Sequence, residues 1–234
     1  MFCDEENVRI FREPKDSQTV MRYLTLGKLF DLIETKSLYF AHPTSFNDPF
    51  EGEVGPANHN MRPELYKDTP QLLDQFPSLD RVAKAFTYVS CWTASDQESH
   101  LMSASYAAPD PSVIVVSTWG ALKRSIESER KVYGGLVDYV DYETYFIPEG
   151  NRFYRHIHKR IRYADEREVR LLAPVELNQI PNNSTPVKGV RIPVDLTTLI
   201  QQIWVVGDRN GTSMAALKGY LELKGQNSLT LKAV

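Results

Sequence analysis

The stretch RYADEREVRLLAPV, residues 162–175, drives charged residues straight into an apolar run, and this constrains the fold more than any other segment. On strand spacing, Glu166, Glu168 and Arg170 share one face, while Arg167, Val169 and Leu171 share the other. A strand that only built a core would alternate apolar with polar and keep its charges at the rim. Read instead as a helix, Glu166 and Arg170 form an i,i+4 ion pair on a solvated surface, worth roughly a few tenths of a kcal/mol. The sharper reading is a polar cleft in which Arg167 or Arg170 orients a working carboxylate.

The rest of the chain narrows the classes. With 234 residues, 42% of them hydrophobic, it is long enough for a sizeable core in one domain spanning 1–234. Net charge is −3, from 27 basic and 30 acidic residues, so no bulk positive field attracts nucleic acid. A local basic patch remains, in which Lys159, Arg160 and Arg162 would supply phosphate contacts beside His156 and His158. No Gly-rich phosphate loop or aromatic platform accompanies it in sequence. No apolar run reaches the roughly 18 residues of a membrane span, so no membrane partner is expected. Two cysteines, Cys3 and Cys91, and an acidic N-terminus without an apolar signal region point to a cytoplasmic setting. Neither C-x-x-C nor H-E-x-x-H occurs, so no metal is expected.

Periodicity suggests a mixed order of elements. VRIF (8–11) and Arg22–Leu24 read as short strands. Thr25 caps a helix whose apolar stripe is Leu26, Leu29, Phe30 and Ile33. SLYFAHP reads as a strand, and SFNDPFEG as a turn in which Asn47, Asp48 and Glu51 are turn-formers. Residues 53–80, rich in Pro, Asn and Asp, are expected to form a mobile insertion. AFTYVSCW reads as a strand, ESHLMSASYA as a helix, and β-branched SVIVVST as the clearest buried strand. ALKRSIES should be helical, YGGLVDYVDY a strand, and Arg152–Tyr163 a helix leading into the charged strand. VRIPVDL and LIQQIWVVG complete the strands before SMAALKGYLELKG closes as a helix. This order predicts an α+β fold with a mixed or antiparallel sheet and flanking helices.

Four segments together carry a resemblance. The Arg22-Tyr23 start, SLYFAHPTSFNDPFEG, CWTASDQESHLMSASYA, and KRIRYADEREVRLLAPVEL followed by VDLTTLIQQIWV resemble, in order, domain-of-unknown-function family 2971, a family of uncharacterised bacterial proteins. Its pattern has a D-P-F-E-G turn, C-W with E-S and M-W-x-x-Y downstream, and K-R with E-x-E-x-R near the end. The family's Met-Trp is Met102-Ser103 here, so an aromatic surface is missing at that position. The layout is also similar to ADP-ribosyltransferase-like folds, in which a late Glu supports an oxocarbenium-like state as nicotinamide leaves NAD.

That resemblance implies an NAD-using toxin or defence effector, with roles for particular residues. Glu168 would be the late Glu, Glu166 an auxiliary acid, and Arg22 the fork that grips a dinucleotide phosphate. Tyr23, Ser90, Trp92, Glu98, Ser99, Tyr106 and Arg170 would complete the nucleotide site, with NAD as substrate and the macromolecular acceptor unassigned. Trp92 would stack on a flat ring, although a buried core Trp is the commoner fate. Cys91 as a nucleophile needs a base, and His100 is the candidate. Two other classes stay open. One is a non-catalytic nucleotide-sensing or protein-binding module; the other is a metal-dependent nuclease-like enzyme using Glu166 and Glu168.

Overall fold

Strand β4 (Ser112–Thr118) anchors the architecture, because its β-branched residues are covered on both sheet faces and paired along both edges. The computed structural model describes residues 1–7, 10–99, 101–103, 112–175, 186–208 and 210–234. Val113, Ile114 and Val115 are fully buried. On one edge β4 pairs antiparallel with all seven residues of β1 (Thr19–Thr25), and on the other with β10 (Gln202–Val206).

The remaining strands are β2 (Ser37–Ala41), β3 (Thr87–Ala94), β5 (Tyr133–Leu136), β6 (Asp138–Val140), β7 (His158–Arg160), β8 (Glu168–Pro174), β9 (Gly189–Pro193) and β11 (Thr230–Ala233). Nine strands form one sheet, with the path β11-β10-β4-β1-β3-β2-β9; β8 joins β3, and β5 joins β8. All pairings in it are antiparallel except β10 with β11, and β6 pairs parallel with β7 in a separate two-stranded sheet. The chain is a single-domain α+β protein with a mixed, mostly antiparallel sheet.

Helices α1 (Asp4–Asn7), α2 (Leu26–Thr35), α3 (Pro56–Leu65), α4 (Phe76–Ala85), α5 (Trp119–Arg124), α6 (Tyr154–Ile157), α7 (Leu196–Leu199) and α8 (Thr212–Leu223) accompany the strands. The Thr25 hydroxyl accepts from the Lys28 amide at 3.3 Å, as a cap requires. One sheet face packs Val20, Trp92, Val115, Leu171 and Ile203 against apolar residues of α2, α5, α7 and α8, which makes the principal core. The other face carries two smaller clusters. Val89 and Leu172 meet Phe11, Phe153 and Ile157, while Met21, Tyr23, Ile114, Val116 and Trp204 meet Met102.

Several expectations need correction. Arg152–Tyr163 is not one helix: four residues of α6 give way to β7 and then to a 3-10 helix over Ile161–Glu166. The cause is tertiary, since Lys159 and Arg160 are drawn toward carboxylates rather than spread around a helix. YGGLVDYVDY breaks into β5 and β6, which belong to different sheets. Val8 and Arg9 lie outside the described residues, and Ile10 and Phe11 form turn and coil rather than strand. Apart from these corrections, residues 53–80 contain α3, a 3-10 helix over Pro70–Leu72 and the start of α4, with buried charge pairs among them. Arg62 pairs with Asp80 at 3.0 Å and Glu149 at 2.7 Å, and Arg155 pairs with Asp80 at 2.8 Å.

Two glycines make opposite predictions. A Cβ on Gly134 of β5 would stand 2.3 Å from the Arg170 carbonyl oxygen, a backbone atom that cannot turn away. Gly134→Ala should therefore destabilise by about 1–3 kcal/mol, as overpacking does. Gly219 of α8 has nothing within 4 Å of its ideal Cβ, so Gly219→Ala should stabilise by about 0.5–1 kcal/mol. Thermal melts of the two variants check the pair of signs.

Candidate functional site

The charged stretch enters the sheet through a sharp local device. Arg167 adopts a left-handed conformation, φ 45°, at the end of the 3-10 helix, and the next residue begins β8. Glu168 and Arg170 then point to the same face, as strand spacing predicts, and Arg170 Nε donates to Glu168 Oε2 at 2.8 Å. Both side chains are buried, Arg170 completely.

A second carboxylate completes this arrangement from far along the chain. In the D-P-F-E-G turn, Asp48 Oδ1 accepts from the Phe50 amide at 3.0 Å, and Gly52 takes φ +70°. The turn aims Glu51 inward, where Arg170 donates to its two oxygens at 2.5 and 3.0 Å. Arg170 also donates to the His156 carbonyl at 2.7 Å. Lys159 pairs with Glu166 and lies 3.6 Å from Glu168, while Arg160 pairs with Asp48. The Glu168 amide donates to Tyr139 Oη at 2.7 Å.

Electrostatics follow from this enclosure. Burial alone would push the Glu168 carboxyl up, but the charges of Arg170 and Lys159 outweigh it and hold it below its ordinary range. Burial likewise opposes the Arg170 charge, yet Glu168 and Glu51 raise its pKa well above the usual value. Burial drives His156 down to about 3, so the ring stays neutral. The Cys91 thiol, opposite Arg170 in the β3–β8 register, is pushed up by burial and by the Glu168 charge. A thiol held protonated is a poor nucleophile, and its proposed base, His100, lies outside the described residues.

The opposite sheet face holds a different arrangement. β8 pairs along β3 from Thr87 to Thr93 and so occupies one edge. On the other edge, β1 pairs at Thr93 and Ala94, whereas β2 pairs at Val89. Between these points β1 and β2 part, and Ser90, Cys91 and Trp92 lie at the apex of the fork. Arg22 spans it, donating to the Tyr39 carbonyl at 2.9 Å with its guanidinium carbon 5.8 Å from the Trp92 ring centroid. Arg22 forms no ion pair with a carboxylate among the described residues, and burial pulls it down to about 10. Ser90 Oγ and Trp92 Nε1 are buried without a hydrogen-bond partner among the described residues.

The expected single cleft is therefore corrected. Trp92 packs in the principal core with Val169 and Leu171, while Glu168 and Arg170 point to the opposite face. The structure brings Arg22, Ser90 and Trp92 together, and separately joins Glu166, Glu168 and Arg170. A third group forms near Met102, where the Ser99 amide donates to Tyr23 Oη at 2.9 Å and Ser103 Oγ donates to Glu98 at 2.9 Å. Tyr106 lies outside the described residues. Of the basic patch, Lys159 and Arg160 are engaged by carboxylates, and Arg162 donates to Tyr163 Oη at 2.8 Å. Of these three, Arg162 alone makes no ion pair among the described residues and keeps an exposed charge. Glu51 is the residue that sequence reasoning missed, and its signal was an Arg on an apolar strand needing more than one carboxylate.

Neither a protein-family model nor a curated protein matches the chain. Charged residues from two of the quoted segments meet in the ionic cluster. Asp48 and Glu51 come from D-P-F-E-G, Lys159 and Arg160 from K-R, and Glu166, Glu168 and Arg170 from E-x-E-x-R.

Removing the cation should be costly. Arg170→Met strands Glu51 and Glu168 in the interior, and the expected loss is about 3–5 kcal/mol. A triple variant that also carries Glu51→Gln and Glu168→Gln should recover part of it, as urea melts would show. The lowered Glu168 pKa also fixes a sign. Its contribution is present above the unfolded value of about 4.3 and is lost as pH falls through the lower folded value. Wild-type stability should drop more steeply below about pH 4.3 than that of Glu168→Gln.

Proposed function

We propose that the chain binds a phosphate-bearing nucleotide of the NAD or ADP-ribose kind in the β1–β3–β2 fork. One observation carries the reading: Arg22 is a desolvated guanidinium with no carboxylate against it among the described residues. Burying such a group is expensive unless it is paired, and a ligand phosphate matches its planar fork with two oxygens. The partnerless Ser90 Oγ and Trp92 Nε1 on the same sheet face add two further donors for an oxyanion.

Binding is better supported than transfer. In the transferase reading, Glu168 would stabilise an oxocarbenium-like state beside the ligand. Its carboxylate is ionised, as that role demands, but its oxygens face Arg170 and Lys159 across the sheet from Arg22. The nuclease-like reading asks Glu166 and Glu168 to ligate a cation, yet both already face Lys159.

Titration calorimetry with NAD and ADP-ribose tests the proposal. Saturable binding is expected for the wild type, weakened about 10- to 100-fold in Arg22→Gln, the scale of one charge-assisted hydrogen bond. Arg22→Lys should fall between them, because it keeps the charge but loses the fork. Glu168→Gln separates the two readings. Unchanged affinity and no nucleotide turnover to lose favours binding, and loss of a measurable turnover at constant affinity restores transfer. No heat and no rise in melting temperature at millimolar nucleotide would end the nucleotide reading.

A further inference from the structure

A cavity of about 300 Å³ lies apart from both the fork and the ionic cluster, where the end of β2 meets α4. Its wall includes His42, Thr44, Glu53, Arg81, Lys84 and Ala85. The volume is at the lower end of small-molecule sites.

Hydrogen bonding fixes the state of the floor. The Thr44 amide donates to His42 Nδ1 at 3.3 Å, so that nitrogen is an acceptor and the ring proton sits on Nε2, 3.2 Å from the Ala85 carbonyl. Thr44 Oγ1 lies 2.8 Å from the same Nδ1 and donates to it. Burial and the neighbouring Lys84 charge both favour the neutral ring. His42 therefore contributes a flat, uncharged surface, continued by Pro77 and Ala85.

The charges on the wall do not cancel. Asp80 is neutralised from behind by Arg62 at 3.0 Å and Arg155 at 2.8 Å. Glu53 and Lys84 pair at 2.6 Å. Arg81 is exposed and makes no ion pair among the described residues, so the cavity carries one uncompensated positive charge. Its guanidinium offers a planar set of donors, and Lys84 can turn from Glu53 toward a stronger anion.

We propose that this cavity binds a small organic anion, with its carboxylate or phosphate on Arg81 and Lys84 and its apolar body over His42, Pro77 and Ala85. The site is separate from the fork and does not rest on the nucleotide reading. Benzoate and phenyl phosphate probe the two head groups, and benzamide is the uncharged counterpart of benzoate. Calorimetry on the full chain at low salt should give saturable binding of at least one anion, with benzamide at least about tenfold weaker. Arg81→Gln or Lys84→Gln should weaken that anion by a similar factor, while Lys67→Gln, in a surface pair elsewhere, should not. The better of the two anions identifies the head group. The proposal is overturned if neither anion saturates, if benzamide binds equally well, or if both substitutions leave the affinity unchanged. Arg81 is exposed, so melting temperatures without ligand should confirm that its variant folds.

Discussion

A guanidinium taken wholly out of water has to be surrounded, and the Arg170 enclosure organises much of this molecule. Glu168 stands two residues before it on the same strand, and Glu51 approaches from 119 residues away. The His156 carbonyl takes a further donor. Each partner belongs to a different piece of chain, so the β3–β8 pairing, the D-P-F-E-G turn and the α6–β7 junction must all be in place together. An interaction of this kind specifies an arrangement more than it adds stability, because desolvating three charges offsets much of their mutual attraction. It also explains why the turn ends at Gly52 in a left-handed conformation: an added Cβ there would stand 3.1 Å from the His156 ring.

That enclosure changes what the late Glu can do. A catalytic carboxylate needs its charge aimed at a reacting atom, whereas the Glu168 charge is aimed at Arg170 and Lys159. The charged residues of the D-P-F-E-G turn and of the E-x-E-x-R strand thus build a buried ionic cluster. A motif of charged residues is compatible with catalysis or with architecture, and the deciding quantity is what each carboxylate oxygen faces.

How far the chain could be read depended on the range of the forces involved. Strands β1, β3, β4, β8 and β10 and helices α2 and α8 follow from periodicity and caps, since their own residues carry the pattern. The co-facing of Glu168 and Arg170 was legible for the same reason, being a matter of strand parity. The segment HIHKRIR was not, because Lys and Arg favour helices in isolation while Asp48, Glu166 and Glu168 impose an extended Lys159–Arg160 here. Parity also shows that Cys91 and Trp92 face opposite ways. Which of them meets Glu168 depends on the Thr93↔Glu168 register, a property of two strands 75 residues apart. Glu51 was read as a turn-former, which it is, but its carboxylate has a partner that no local pattern reveals.

Two arginines on one sheet show why the fork, rather than the charged strand, is the place proposed for a ligand. Arg170 is fully buried, and two carboxylates lift its pKa well above the ordinary value, so its desolvation is already answered by the protein. Arg22 shares the same sheet and is also desolvated, but its one hydrogen bond goes to a backbone carbonyl and its pKa falls to about 10. A depressed arginine is one whose charged form the surroundings do not support. An anion placed against it would meet a half-buried guanidinium that Tyr39 and Trp92 already hold, so the reorganisation is small. The same anion placed near Arg170 would have to compete with Glu51 and Glu168. The difference between a compensated and an uncompensated cation is what singles out the gap between β1 and β2 as the proposed binding site.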